Sequence, residues 1–141
     1  MATQVIETQT LTGGQAAIRT ADAVRGAIRR DGSLAGRFNA SWGEEARWSC
    51  LTGMAQTAIV WQRLACLTGD PGHSAGALRV NHFLRTVQDT TSRNPGIRGG
   101  IPGSFPVHGE YGKYRFLNWA AKFFMDALML EALSGKVINL G

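Results

Sequence analysis

An all-α fold of two helical hairpins, with long glycine-rich loops, is what this 141-residue sequence predicts. Four segments carry apolar residues at helical spacing. They alternate between a single apolar stripe, as on an outer helix, and apolar cover nearly all round, as on a buried one. Most of the eighteen glycines fall in two clusters between these segments, where turns and loops belong.

Residues 1–11 read as an extended lead-in. Thr12-Gly13-Gly14 then precedes a first helix over about Gln15 to Arg30. Ala17, Ala21, Val24 and Ile28 line its one apolar stripe, and Arg19, Asp22, Arg25 and Arg29 take the wet side. Asp31-Gly32-Ser33 supplies turn chemistry. A loop with Phe38 and Trp42 follows.

The second helix spans about Trp48 to Thr68 and stops at Gly69-Asp70-Pro71-Gly72. Leu51, Met54, Ala55, Ala58, Ile59, Trp61, Leu64 and Ala65 cover most of its circumference, the pattern of a buried helix. The third helix, about Ser74 to Thr90, buries Val80, Phe83, Leu84 and Val87 and turns Arg79 and Arg85 outward. A loop over Asn94 to Arg115 places Phe105, Tyr111 and Tyr114 among glycines, which demands a cover for those rings. The fourth helix, about Leu117 to Leu133, is apolar almost all round, with Trp119, Phe123, Phe124, Met125 and Met129, and Ser134-Gly135 stops it.

This order repeats. Residues 12–72 form one hairpin unit and 73–135 a second, within a single domain. Arg47-Trp48-Ser49-Cys50 falls where Arg115-Phe116-Leu117-Asn118 falls, and Gly32-Ser33-Leu34 echoes Gly103-Ser104-Phe105. The loops should gather at one end of the inner helices.

Charge and cysteine usage narrow the function classes. The formal charge of +5 is carried mostly by scattered arginines without a long basic run, which speaks against nucleic acid and for a basic rim facing an anionic substrate or partner. Cys50 and Cys66 would lie roughly 24 Å apart along one helix, too far for a disulfide, so reduced thiols and the cytoplasm are expected. The N-terminus lacks the pattern of a signal peptide, and no apolar run is long enough to span a membrane.

The pattern resembles the α/α-toroid superfamily of terpenoid cyclases, protein prenyltransferase β-subunits and lanthipeptide cyclases. Asp31-Gly32-Ser33 after an outer helix is similar to the repeat of that superfamily. WSCLTGMAQTAIVWQRLACLTGD and GIRGGIPGSFPVHGEYGKYRFLNWAAKFFMDALMLEAL look like the C-terminal repeats of bacterial toroid proteins that accompany polysaccharide-biosynthesis genes. The resemblance implies a partial toroid and a carbohydrate-related role. A full ring needs more hairpins than this chain supplies, so it also implies self-association or docking on a larger protein. Without adjacent aspartates, the acid motif of proton-initiated cyclisation is missing.

Several residues are candidates for chemistry. His108, Glu110 and Tyr111 on the glycine-rich loop form a set suited to general acid–base work on a sugar. Trp42, Arg47, Trp48, Tyr114 and Asn118 are candidate substrate contacts, and Asn118 is equally read as a helix cap. Glu44 and Glu45 read as a cap of the second helix or, less simply, as paired carboxylates at a glycosidic bond. Trp61 and Trp119 read as core, and His73 and His82 as surface. Gln56 and Lys122, on buried helices, would need partners. The toroid resemblance also offers a zinc alternative: Cys50 at the head of an inner helix with His108, and Glu110 third. The plain reading of Cys50 is a small buried residue.

Overall fold

The computed structural model describes the backbone over residues 2–138 and the side chains over residues 13–135. Among the described residues, four helices follow one another: α1 (Ala2–Gly26), α2 (Leu51–Thr68), α3 (Pro71–Val87) and α4 (Asn118–Ile138). Among the described residues β-structure is confined to a two-residue pair of strands, β1 (Ser49–Cys50) and β2 (Ser104–Phe105), and to two isolated bridges, Phe38 with Glu44 and Pro102 with Phe116.

Each boundary has a local cause. Helix α1 starts at Ala2, not after Gly13-Gly14. No proline interrupts that stretch, and a glycine in a helix costs only about 1 kcal/mol. At the other end, Ala27 and Ile28 donate to the carbonyls of Val24 and Arg25, three residues back, so the helix tightens before it stops. Cys50 caps α2, its sulfur accepting the Gly53 amide at 3.4 Å. Gly69 ends α2 in the left-handed region (φ 72°) with its amide on the Ala65 carbonyl. Asp70 at once caps α3, accepting the Gly72 amide at 2.8 Å, and Pro71 takes the first helical turn. Helix α4 runs through Ser134-Gly135 to Ile138.

Because only Gly69 and Asp70 separate them, α2 and α3 fold straight back on each other. Their packing is the most extensive in the molecule and crosses the expected division at residues 72 and 73. Helix α2 is the centre: it packs along α3 on one side and α4 on the other, and α1 touches α2 and α3 only lightly. The core gathers Leu51, Met54, Ala58 and Trp61 from α2 with Val80, Leu84, Ala120, Phe124 and the loop residue Ile101. Small residues let the helices close in. A Cβ on Gly76 would meet the Trp61 ring at 3.3 Å. The Trp61 indole donates to the Ala21 carbonyl at 3.0 Å, which ties α1 to α2.

The two inner helices differ in their cover. Helix α2 buries one broad face and shows Val60 and Leu67 on the other. Helix α4 is half open: Trp119 is 48% exposed, Met125 and Met129 59% each and Leu133 57%. The sequence pattern expects both helices to be enclosed and Trp119 to be core. Among the described residues α4 packs mainly on α2 and weakly on α3, which leaves these side chains of its outer side open. Other placements shift for related reasons. Gln56 and Lys122 are exposed, with Lys122 paired to Asp126 at 2.6 Å, whereas the buried polar side chains of the helices include Thr52, Gln62, His73 and Asn81. Gln62 donates to the Ala127 carbonyl at 3.1 Å and Asn81 to Glu131 at 2.7 Å. No helix among the described residues is long and apolar enough to cross a membrane.

Candidate functional site

The two long loops meet at the start of α2, and their junction holds most of the candidate residues. Strand β1, at the end of the first loop, pairs antiparallel with β2 in the second, Ser49 opposite Phe105 and Cys50 opposite Ser104. The Leu51 amide extends the pairing to the Gly103 carbonyl at 3.1 Å. Each loop also closes on itself in the same way. Gly36 donates to the Trp48 carbonyl at 2.7 Å, and Gly103 to the Arg115 carbonyl at 2.9 Å. Each bond ends just before an inner helix.

Glycine makes this junction tight. A Cβ on Gly36 would fall 2.3 Å from the Trp48 ring, and one on Gly109 would fall 2.6 Å from the Ser104 Cβ. The Ser104 hydroxyl donates to the Tyr111 carbonyl at 2.6 Å. These positions admit no side chain without moving backbone or ring. The glycines thus allow a closely packed platform, and Phe105, Tyr111, Tyr114 and Phe116 are left exposed on it.

On this platform Glu110 is bound to Arg37, whose Nη2 donates to Oε2 at 2.8 Å. The Arg37 guanidinium lies 5.8 Å from the centre of the Trp48 ring, in cation–π range. Tyr111 Oη accepts the Trp119 indole N–H at 3.1 Å, so a loop tyrosine and a helix tryptophan stand together at the surface. His108 is exposed and makes no side-chain hydrogen bond among the described residues. The expected set of His108, Glu110 and Tyr111 therefore shares one loop, but no hydrogen bond joins its three side chains. Glu110 answers to arginine instead.

Of the expected substrate contacts, Trp42 and Tyr114 are the most unusual. Both have positive φ, 62° and 57°, which bulky side chains rarely adopt. Both are exposed, Trp42 tilted against Phe38 and Tyr114 under the Lys113 ammonium. Arg47 is exposed, and its carbonyl accepts from Arg29 at 3.2 Å. Trp48 is half-buried beneath Arg37. Asn118 is exposed and is the first residue of α4; its side chain accepts the amide of the next residue, Trp119, at 2.8 Å, one position short of the amides an N-cap binds.

The remaining candidates land elsewhere. Glu44 caps no helix. It takes a fork from Arg29, Nε to Oε1 at 3.0 Å and Nη2 to Oε2 at 2.9 Å. That fork holds the Glu44 carboxyl below its ordinary range. Glu45 is exposed and its amide donates to the Arg37 carbonyl. Cys50 is half-buried, and burial pushes its thiol pKa up, outweighing the nearby Gly53 and Thr52 amides. It is thus poorly set to act as the thiolate a zinc ligand needs. Nor are Cys50, His108 and Glu110 gathered: among the described residues the one close group of potential ligands is Asp22, Asp70 and His73.

That group was not legible as a site, because the sequence places His73 at the surface. It is 1% exposed. Its Nε2 lies 3.0 Å from Asp22 Oδ1, and Nδ1, without a hydrogen-bond partner, lies 3.8 Å from Asp70 Oδ2. Arg25 reaches both carboxylates, at 3.1 Å and 3.4 Å, and fills the position a cation would take. The cluster is a clamp between α1 and the head of α3. The Asp-Pro pair that caps α3 was a readable signal for one member, but α1 and α3 meet only in the folded chain.

Clefts of a size to hold a ligand lie away from the platform, and none of the four described is lined by Trp42, His108, Glu110 or Tyr111. One of them runs between α2 and α4, beside Arg63, Cys66, Leu67 and Leu130. Comparison with protein-family models, with curated proteins and with solved structures gives no match for this chain.

Proposed function

We propose that this chain is a non-catalytic assembly module that packs the outer face of α4 against a second copy of itself. One observation carries the reading: the open side of α4 has the spacing of a helix–helix seam. Lys122, Met125, Met129 and Ala132 are all exposed and follow one another at intervals alternating between three and four residues. Trp119 and Leu133, also exposed, extend the seam at either end. Contiguous apolar surface of this kind marks an interface, and methionine and tryptophan are typical of interface centres.

Self-association suits the face because it carries both charges. Lys122 and Asp126 stand one turn apart, so a copy related by a two-fold axis offers a carboxylate to each ammonium. The toroid resemblance fits the same reading, because the inner helices of such a ring are covered by further helices. Sedimentation velocity tests it. The expected mass is twice the 15.2 kDa of one chain. The double substitution Met125→Glu and Met129→Glu, at exposed positions, should give a helical monomer. A wild-type monomer at every concentration would end the proposal.

A second reading keeps the loop platform as a carbohydrate contact surface. The left-handed backbone at Trp42 and Tyr114 favours it, because strain of this kind gathers at functional positions. Exposed rings on a closely packed base suit stacking on a sugar face. Titration with neutral oligosaccharides, followed by tryptophan fluorescence, is expected to respond in the wild type and not in Trp42→Ala. An unchanged spectrum across all sugars removes this reading and leaves the first intact.

A further inference from the structure

A second surface is independent of both. The turn after α1 and the outer face of α3 enclose an open cleft of about 440 Å³. Arg30 reaches it from the turn, and Arg79, His82 and Arg85 reach it from α3. The spacing of those three residues puts them on one side of the helix. The turn is held against the helix by Gly32, whose φ of 91° and missing side chain allow close approach: a Cβ there would lie 2.6 Å from the Arg79 carbonyl oxygen.

The cleft is positively charged after its internal contacts are counted. Arg79 donates to the Arg29 carbonyl at 2.9 Å, a neutral acceptor, so its charge is not cancelled. Arg30 and His82 have no side-chain hydrogen bond or ion pair among the described residues. Only Arg85 is matched, by Glu131 at 2.7 Å. The single carboxylate of the lining, Asp31, accepts the Ser33 amide at 2.9 Å and the Ser33 hydroxyl at 2.7 Å, neutral donors that leave its charge in place, so Arg30 and Arg79 stand against one carboxylate.

We infer that this cleft binds a small phosphorylated molecule. Guanidinium groups from two different elements suit an anion with several oxygens, because each fork donates in a fixed plane and an arginine binds phosphate through two bonds at once. The volume lies in the range of small-ligand sites. Leu78 and the arginine stems give the organic part an apolar wall. An extended polyanion is the less fitting ligand, since Arg30 from the turn and the α3 residues face one cleft from two elements.

Calorimetric titration with inorganic pyrophosphate, at constant ionic strength, tests the inference. Saturable binding at one site per chain is expected. Arg30→Gln and His82→Gln, which remove no internal bond, should each keep the wild-type melting temperature. Arg30→Gln should weaken binding about tenfold or more, as loss of a charge-assisted hydrogen bond does. Arg63→Gln, on the exposed side of α2, should bind as the wild type does. The inference is overturned if pyrophosphate gives no saturable heat, if Arg30→Gln binds as tightly as the wild type, or if only a long polyanion such as heparin binds.

Discussion

Arg37 and Glu110, one from each long loop, face each other at 2.8 Å and join segments that are far apart in the chain. The pair lies beside Trp48, where the Arg37 guanidinium covers the indole. It turns a candidate catalytic carboxylate into a fastening. Both side chains are largely exposed, so water and salt screen the attraction. Glu110→Gln should therefore change unfolding free energy by less than about 1 kcal/mol. Urea denaturation at low and high salt checks this, and a loss beyond about 2 kcal/mol would give the pair a structural weight its exposure does not suggest.

Arg29 is expected to matter more. Besides its fork on Glu44, it donates to the carbonyls of Ala46 and Arg47 at 3.1 and 3.2 Å, so one guanidinium holds the whole return of the first loop. Arg29→Met removes all of these bonds. It should cost about 1–3 kcal/mol, the range for losing several charge-assisted hydrogen bonds at a partly buried position. Arg30→Met, one residue on, should be nearly silent in the same denaturation experiment.

The two cysteines should separate by reactivity. Cys66 is exposed, whereas Cys50 is half-buried, takes a backbone amide on its sulfur and has its thiol pKa raised by burial. An aromatic disulfide reagent at neutral pH should label Cys66 within the mixing period of a slow assay and Cys50 only as the protein unfolds. Equal labelling rates in the native protein, followed by mass spectrometry of peptides, would contradict this placement.

Acid should loosen the loops and the α1–α3 clamp. The Asp70 and Asp89 carboxyls lie below the usual range because backbone amides bind them, Gly72 for the first, Thr91 and Ser92 for the second. Asp31 is lowered too: burial raises it, but the Ser33 hydroxyl and amide and Arg29 together outweigh that. A carboxyl whose folded pKa is depressed stabilises the fold above its unfolded pKa, and that stability is lost as pH falls through the folded value. Stability should be flat from neutral pH down to the ordinary carboxylate range, about pH 4, and should decline below it. Asp70→Asn should flatten part of that decline in pH-dependent denaturation. A decline already complete at pH 6 would implicate other groups.

The helices were legible because their causes are local. The stripe of Val80, Phe83 and Leu84, the Gly69-Asp70-Pro71 punctuation and the apolar run around Met54 state their structure within a few residues of chain, and α2 and α3 formed close to where those signals put them. The amphipathic exterior of α3 was equally readable, with Arg79 and Arg85 outside. The gathering of the two loops at the head of α2 also followed from the glycine clusters and the order of the helices.

What only the folded chain decided are the relations between distant residues. A carboxylate such as Glu44 or Glu110 carries no mark of its partner, and the guanidinium that claims it is chosen by where a loop returns. His73 looks like a turn residue until α1 closes over it with Asp22 and Arg25. Trp119 and Met125 have the same apolar character as Trp61 and Met54, and periodicity treats them alike. Burial depends on how many neighbours a helix has, which is a property of the assembly: among the described residues α2 packs extensively on both α3 and α4, whereas α4 packs extensively on α2 alone.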